Sequence, residues 1–248
     1  MHGELFDSTI PFGEPELLKA VAYQRYLENL EVESSAAGAR MSQLSPSLQA
    51  DLGRAELRGS SSEAVEVIAA CIRHSSRVTI HFQCADRVLP LTVFPQERLV
   101  HCPMEMDEVL ERHLPGLRVM HVEPATLRPP GDATPALVGD VRLYHPLTPF
   151  LWAVALRGPR RELLPEISGP AVYRLAPSLD IQAAPVTGAV RATILRLRGS
   201  ATSLAAIASW PGFDRERAAR LLNALYLQSG LIVSRSHPAA VKDSWFGR

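Results

Sequence analysis

Apolar positions along the chain change period several times, and each change marks an element. Tyr23, Tyr26, Leu27 and Leu30 recur at i, i+3, i+4 and i+7. That spacing predicts a helix over 15–32 with one apolar face, opened by Pro15 in its first turn. Glu33 to Glu63 is rich in Ser, Ala and Gly, a composition that predicts a linker with at most a short helix after Pro46. Helical spacing returns at Val65, Ile68, Ala69 and Ile72, with Ser62 placed to cap. The period then drops to two: Val78, Ile80 and Phe82 alternate with Thr79, His81 and Gln83, and Leu89, Leu91 and Val93 repeat the pattern. With a third short run from Leu99 to Cys102, this alternation predicts a β-meander. A helix over 107–114 and a strand over 117–122 complete an α-β-β-β-α-β order. The expected fold class is therefore α+β, a small mixed or antiparallel sheet with helices.

Prolines and Gly131 interrupt regular structure over 123–135. Further on, Thr148 and Pro149 open a stretch that is apolar nearly all round, which predicts a buried helix with Trp152 in the core. From Gly188 the pattern reads helix, turn, helix, turn, helix, strand. Val190, Ile194 and Leu197 give the first helix a face that Gly199 stops. Thr202 or Ser203 caps a short second helix, and Asp214 caps a third that Gly230 stops. In this order, and in LLNALYLQSGLIV from Leu221 to Val233, the last quarter of the chain resembles a winged-helix module. The segment after Arg235 supplies no second wing strand. The resemblance implies a winged-helix-like domain over 187–248 behind an α+β domain over 63–186, with an acidic helix and linker over 1–62.

On a helical wheel, Ala218, Leu221, Leu222, Leu225 and Tyr226 fall on one side of the third helix. Glu216, Arg217, Arg220, Asn223, Ala224 and Leu227 fall on the other. A DNA-reading helix needs Arg, Lys, Asn or Gln along its outward face, and Glu216 and Leu227 interrupt that run. The expectation is thus a protein-docking face of Arg217, Arg220, Asn223 and Leu227, with Arg191 and Arg198 beside it. The alternative is a DNA-binding regulator using the helix 214–229. Trp245 and Phe246 near the carboxy terminus are further candidate anchors for a partner.

Charge reinforces this picture. The net charge is zero, yet residues 1–75 carry −5, residues 76–186 carry −1 and residues 187–248 carry +6. A basic carboxy-terminal segment suits an anionic partner or the chain's own acidic arm. Nearly all the positive charge is arginine, as expected from a GC-rich bacterial genome. Three cysteines without CxxC spacing, and no leader-like opening, point to a reducing cytoplasm. The longest apolar run, Pro149 to Leu156, is too short to span a bilayer.

Candidate chemistry is sparse. His81, Cys84, His101, Cys102 and His121 lie on or beside predicted strands without zinc-site spacing. His101 and Cys102 are adjacent, and neighbours on a strand point to opposite faces, so they form no catalytic pair. No glycine-rich phosphate loop is present. The stretch RGPRRELLPEISGP is similar to the arginine pair and Ser-Gly element of the PilZ cyclic-dinucleotide receptors, with Arg157 and Arg161 as the pair and Ser168 as the serine. Here the gap is shorter, Glu166 stands where Asp or Asn belongs, and Ala171 replaces a glycine. Arg157, Arg160 and Arg161 are thus a candidate anion site, with pairing to the acidic N-terminal arm as the favoured role. The whole reads as a regulatory or adaptor protein that is not an enzyme and needs no metal or cofactor.

Overall fold

The computed structural model describes residues 17–37, 44–59, 63–180 and 186–236. Pro15, Ser62, Trp245 and Phe246, for which roles are expected from sequence, lie outside these residues. The alternating runs form β1 (Val78–Cys84), β2 (Arg87–Phe94) and β3 (Leu99–His101), followed by β4 (Arg118–Pro124). A fifth strand, β5 (Tyr144–Pro146), completes an antiparallel sheet in the order β4-β1-β2-β3-β5. Val78, Ile80 and Phe82 face the core opposite Val93, Leu91 and Leu89. The expected helix at 107–114 is tighter and looser by turns: α4 (Met106–Glu108) runs into a π-turn and then a 3-10 turn that ends at Gly116. Pro115 cannot donate to an α ladder, which accounts for the ending.

α3 (Ala64–Arg73) and α5 (Leu147–Arg157) share one hydrophobic core with the inward face of this sheet. α5 buries Leu147 and every residue from Phe150 to Ala155, Trp152 among them. Thr148 is not its cap: the Thr148 hydroxyl accepts a hydrogen bond from Arg98 at 3.0 Å, and Pro146 precedes the helix.

The acidic N-terminal helix, α1 (Ala20–Ala37), begins later than expected and lies on the outer face of the sheet. There Ala20, Tyr23 and Val88 form a separate small core with Leu27 and Met120. Its entry strand adds to β2 beyond the end of the short β3, with Ala20 N–H donating to Asp86 O at 2.7 Å and Val88 N–H donating to Leu18 O at 2.8 Å. Within the expected linker over 33–63, the helix allowed after Pro46 forms. α2 (Pro46–Leu57) stands within it, capped by Ser45 and packed on α3, with Leu48 fully buried. Its packing on α3 was not expected, because Leu48 and Ala55 are its only apolar buried positions and its helical face is narrow.

The carboxy-terminal unit contains α6 (Gly188–Gly199), β7 (Thr202–Ser203), α7 (Leu204–Ala208), α8 (Arg215–Leu227) and β8 (Leu231–Ser234). Two of its caps form as expected: Ser203 Oγ accepts from Ala206 N–H at 3.3 Å, and Asp214 Oδ1 accepts from Arg217 N–H at 2.7 Å. Its sheet takes its central strand, β6 (Val172–Leu175), from before residue 187, in the antiparallel order β7-β6-β8. Residues of both sheets belong to the same continuous core, so this unit is joined to the rest by apolar packing. Among the described residues no helix is long and apolar enough to cross a membrane.

If α2 is a packed element, Leu48→Ala costs about 2–5 kcal/mol of stability by urea unfolding. A linker leucine would change it by no more than about 0.5 kcal/mol.

Candidate functional site

The outward side expected of the third helix is largely covered by the chain itself. α8 lies along α5, and its polar residues bind α5 and the turn after it. Arg220 Nη1 donates to Leu156 O and Gly158 O, both at 2.8 Å, which satisfies carbonyls that α5 leaves open at its C-terminus. Its cation also complements the negative end of that helix. Gly158 suits this junction, because a Cβ there would run into the Val154 carbonyl. Asn223 is 1% exposed; its Nδ2 donates to Glu162 O at 2.8 Å and its Oδ1 accepts from Leu164 N–H at 2.9 Å. At the opposite end Gln228 Nε2 donates to Thr148 O at 3.2 Å. Leu227 is 1% exposed and lies in the core. Arg220, Asn223 and Leu227 are therefore corrected as partner-binding or DNA-reading residues: they are internal fasteners. The wheel could not reveal this, because it shows which residues share a side of α8 but not that α5 covers that side.

What remains outward is a basic and aromatic face on α6, α7 and the first turn of α8. The Arg196 guanidinium lies over the Trp210 ring at 4.4 Å, and that of Arg217 over Phe213 at 5.2 Å. Arg217 Nη1 also donates to Gly212 O at 2.6 Å. Gly212 adopts φ +77° and a Cβ on it would lie 3.2 Å from Ala189 Cβ, so the turn brings the Phe213 and Arg217 pair against the start of α6. Arg215, Arg217 and Arg198 are exposed. On the other flank of α6, Arg191, Arg198 and the 51% exposed Leu195 border a shallow depression of about 340 Å³ beside Pro177 and Asp180. The expected residues Arg191, Arg198 and Arg217 are thus on the surface, while Trp210, Phe213 and Arg196 join them unforeseen. An aromatic residue four places before an aspartate cap, itself followed by arginines, was the available signal.

A second cluster is a charged crevice of about 550 Å³ between α2, α3, the turn at Pro165 and Tyr226 of α8. Asp51, nearly buried, pairs with Arg54, Arg73 and His74, and Arg73 also reaches Glu166 at 2.8 Å. Next to it the buried Glu66 pairs with Arg58 and Arg160, and Arg160 also pairs with Glu63. Of the candidate anion site, Arg160 is thus taken up by acids of the N-terminal segment. Arg161 lies 3.7 Å from Glu216, and Arg157 is exposed. Ser168 Oγ donates to Pro165 O at 2.9 Å. Each buried carboxylate here has an arginine opposite it, which offsets the cost of taking the charges out of water. The crevice fastens α2 and α3 to the segment between α5 and β6.

The histidines and cysteines are segregated by the pleat. His81, His121 and His101 stand on the outer face of the sheet, by register with Thr79 and Thr92, while Cys84 and Cys102 belong to the core. His81 shares a 2.9 Å hydrogen bond with Glu123 and stacks on Tyr23. Burial pushes the Cys102 thiol up to about 11 and the Cys71 thiol up to about 12, away from the thiolate that a nucleophile requires. Among the described residues no group of three or more His, Cys, Asp or Glu is arranged to hold a metal ion. His101, buried against the Tyr144 ring, is held below its ordinary pKa by burial and then by the charge of His145.

Comparison of the chain with protein-family models, with curated proteins and with solved structures gives no match.

Asn223→Ala removes two hydrogen bonds and Arg220→Ala three, the third to Glu216, two of them in each case at the junction with α5 and the turn after it. Each is expected to cost about 2 kcal/mol by chemical denaturation; a residue serving only a partner would leave stability unchanged. For His101 the folded pKa lies below the unfolded value of 6.5, so the folded state binds fewer protons. Stability therefore falls as pH drops below that value, and His101→Gln flattens the decline in melting temperature between about pH 7 and 5.

Proposed function

We propose that the chain is a binding protein, and that its carboxy-terminal unit docks a protein partner through an acidic segment seated on the cation–aromatic face. One observation carries this reading. Arg196, Arg198, Arg215 and Arg217 make no ion pair among the described residues, and two of them lie over half-exposed aromatic rings. Other arginines, such as Arg58, Arg73, Arg77 and Arg160, are paired within the fold. Unpaired arginine beside tryptophan and phenylalanine is the composition of interface anchors, and an acidic partner supplies the missing counter-charges.

The order helix, short strand, two helices and strand supports reading this unit as winged-helix-like, with its docking surface moved from the third helix to the first and second. Three buried, unpaired cysteines support a reducing compartment. Protonated thiols, and a His81 whose partner is Glu123, support binding over catalysis. Binding to DNA is the second reading, favoured by the same four arginines. Past its first turn α8 is buried, so only phosphates would be within their reach.

In a nuclease-treated pull-down, the double variant Arg196→Glu, Arg217→Glu is expected to weaken capture of the partner about tenfold or more while the melting temperature holds. Equal capture by the variant overturns the protein reading. Binding to random duplex whose affinity falls steeply with salt, with a log–log slope of about −3 to −4 for four phosphate contacts, would install the DNA reading instead.

A further inference from the structure

We propose that a second site, unrelated to the docking face, binds a small organic anion: the pocket under the β2–β3 turn, where Arg98 holds a carboxylate or phosphate group. The pocket measures about 410 Å³ at the meeting point of five segments, one of them Ser178–Asp180 after β6. Arg98 comes from the β2–β3 turn, Ser75 from the end of α3, Trp152 from α5, and Gln228 and Ser229 from the end of α8.

Arg98 is the group that asks for a ligand. It is half-buried, and its guanidinium bonds only the neutral oxygens of Thr148 at 3.0 Å and Gln228 at 2.5 Å, both through Nη2. The ion pairs among the described residues do not include Arg98. A guanidinium stays charged and carries five donors in a planar fork. Nε and Nη1 are thus left, each able to donate a single charge-assisted hydrogen bond to an oxyanion. Burial depresses the Arg98 pKa with no carboxylate to raise it again, the mark of a cation whose counter-charge is missing.

The backbone points to the same place. Four non-glycine residues among those described adopt left-handed φ, and three of them line this pocket: Ser75 at 49°, Arg98 at 57° and Ser229 at 56°. Ser75 and Ser229 follow directly on the capping residues of α3 and α8, a position where glycine is the unstrained choice. Serine there places a hydroxyl-bearing residue in the lining at a conformational cost, which fits a site where polar groups are needed. Ile72, Trp152 and Leu179 complete the lining. An oxyanion on a small apolar body matches this mixture, since polar groups orient a ligand and apolar walls enclose it.

The test titrates the full chain with phenyl phosphate, with benzoate and with the cation benzamidine, read by calorimetry and by tryptophan fluorescence. At least one of the two anions is expected to bind with millimolar or better affinity, and comparison of the two decides whether the site takes phosphate or carboxylate. Arg98→Met is expected to weaken binding about tenfold or more. Ser229→Gly, which relieves the backbone and removes one hydroxyl, is expected to raise the melting temperature while weakening the preferred anion about threefold. No binding of either anion, benzamidine binding as well as the anions, or unchanged affinity in a folded Arg98→Met variant overturns the proposal. If Arg98→Met does not fold, unchanged affinity in Ser229→Gly overturns it.

Discussion

A helix that is apolar on every side can be buried only if something inside the protein answers for its ends. α5 is such a helix, and water does not reach most of it. Its last carbonyls have no partner within the helix, and leaving them bare in the interior would cost more than any single packing contact supplies. Arg220 meets them at one end and Gln228 reaches Thr148 at the other, so α8 is set alongside α5 along its whole length. The continuous core between the two sheets follows from that alignment.

The same alignment explains where the exposed positive charge lies. Once Arg220, Asn223 and Gln228 are committed to α5 and the turn after it, α8 has only its first turn free. Arg196, Arg198, Arg215 and Arg217 then make no ion pair among the described residues, and two of them cover aromatic rings. Around Asp51 and Glu66 the opposite holds: each acid is met by two or more cations, and α2 is held to α3 by pairing as much as by Leu48. Arginine thus serves two ends in this chain, internal fastening where an acid or a carbonyl faces it and surface charge where none does.

Legibility varied with the kind of signal. The meander was plain, because period-two alternation in β1 and β2 admits no other element. α3, α6, α7 and α8 were equally plain, and Ser203 and Asp214 cap as their positions require. β5, with three residues, and β6, with four, were invisible, since such short runs carry no period and owe their existence to the strands they pair with. Of α2 the start after Pro46 was legible but not its packing, and Thr148 was diverted from capping by Arg98, a residue distant in the chain.

By itself the amino-acid order determined the strands of the meander and most of the helices, that they form an α+β fold, and that the carboxy-terminal quarter is basic, for these depend on neighbours within one or two turns. Which arginines are spent and which are free was decided only by tertiary structure. Arg217, Arg220 and Asn223 look alike on a wheel, yet Arg220 and Asn223 face α5 and Arg217 faces Phe213. Arg98, a turn residue with no local motif, acquires its place in a pocket only when Thr148 and Gln228 are brought to it from 50 and 130 residues away. Hydrogen bonding and ion pairing act through space, and sequence spacing does not report distances of that kind.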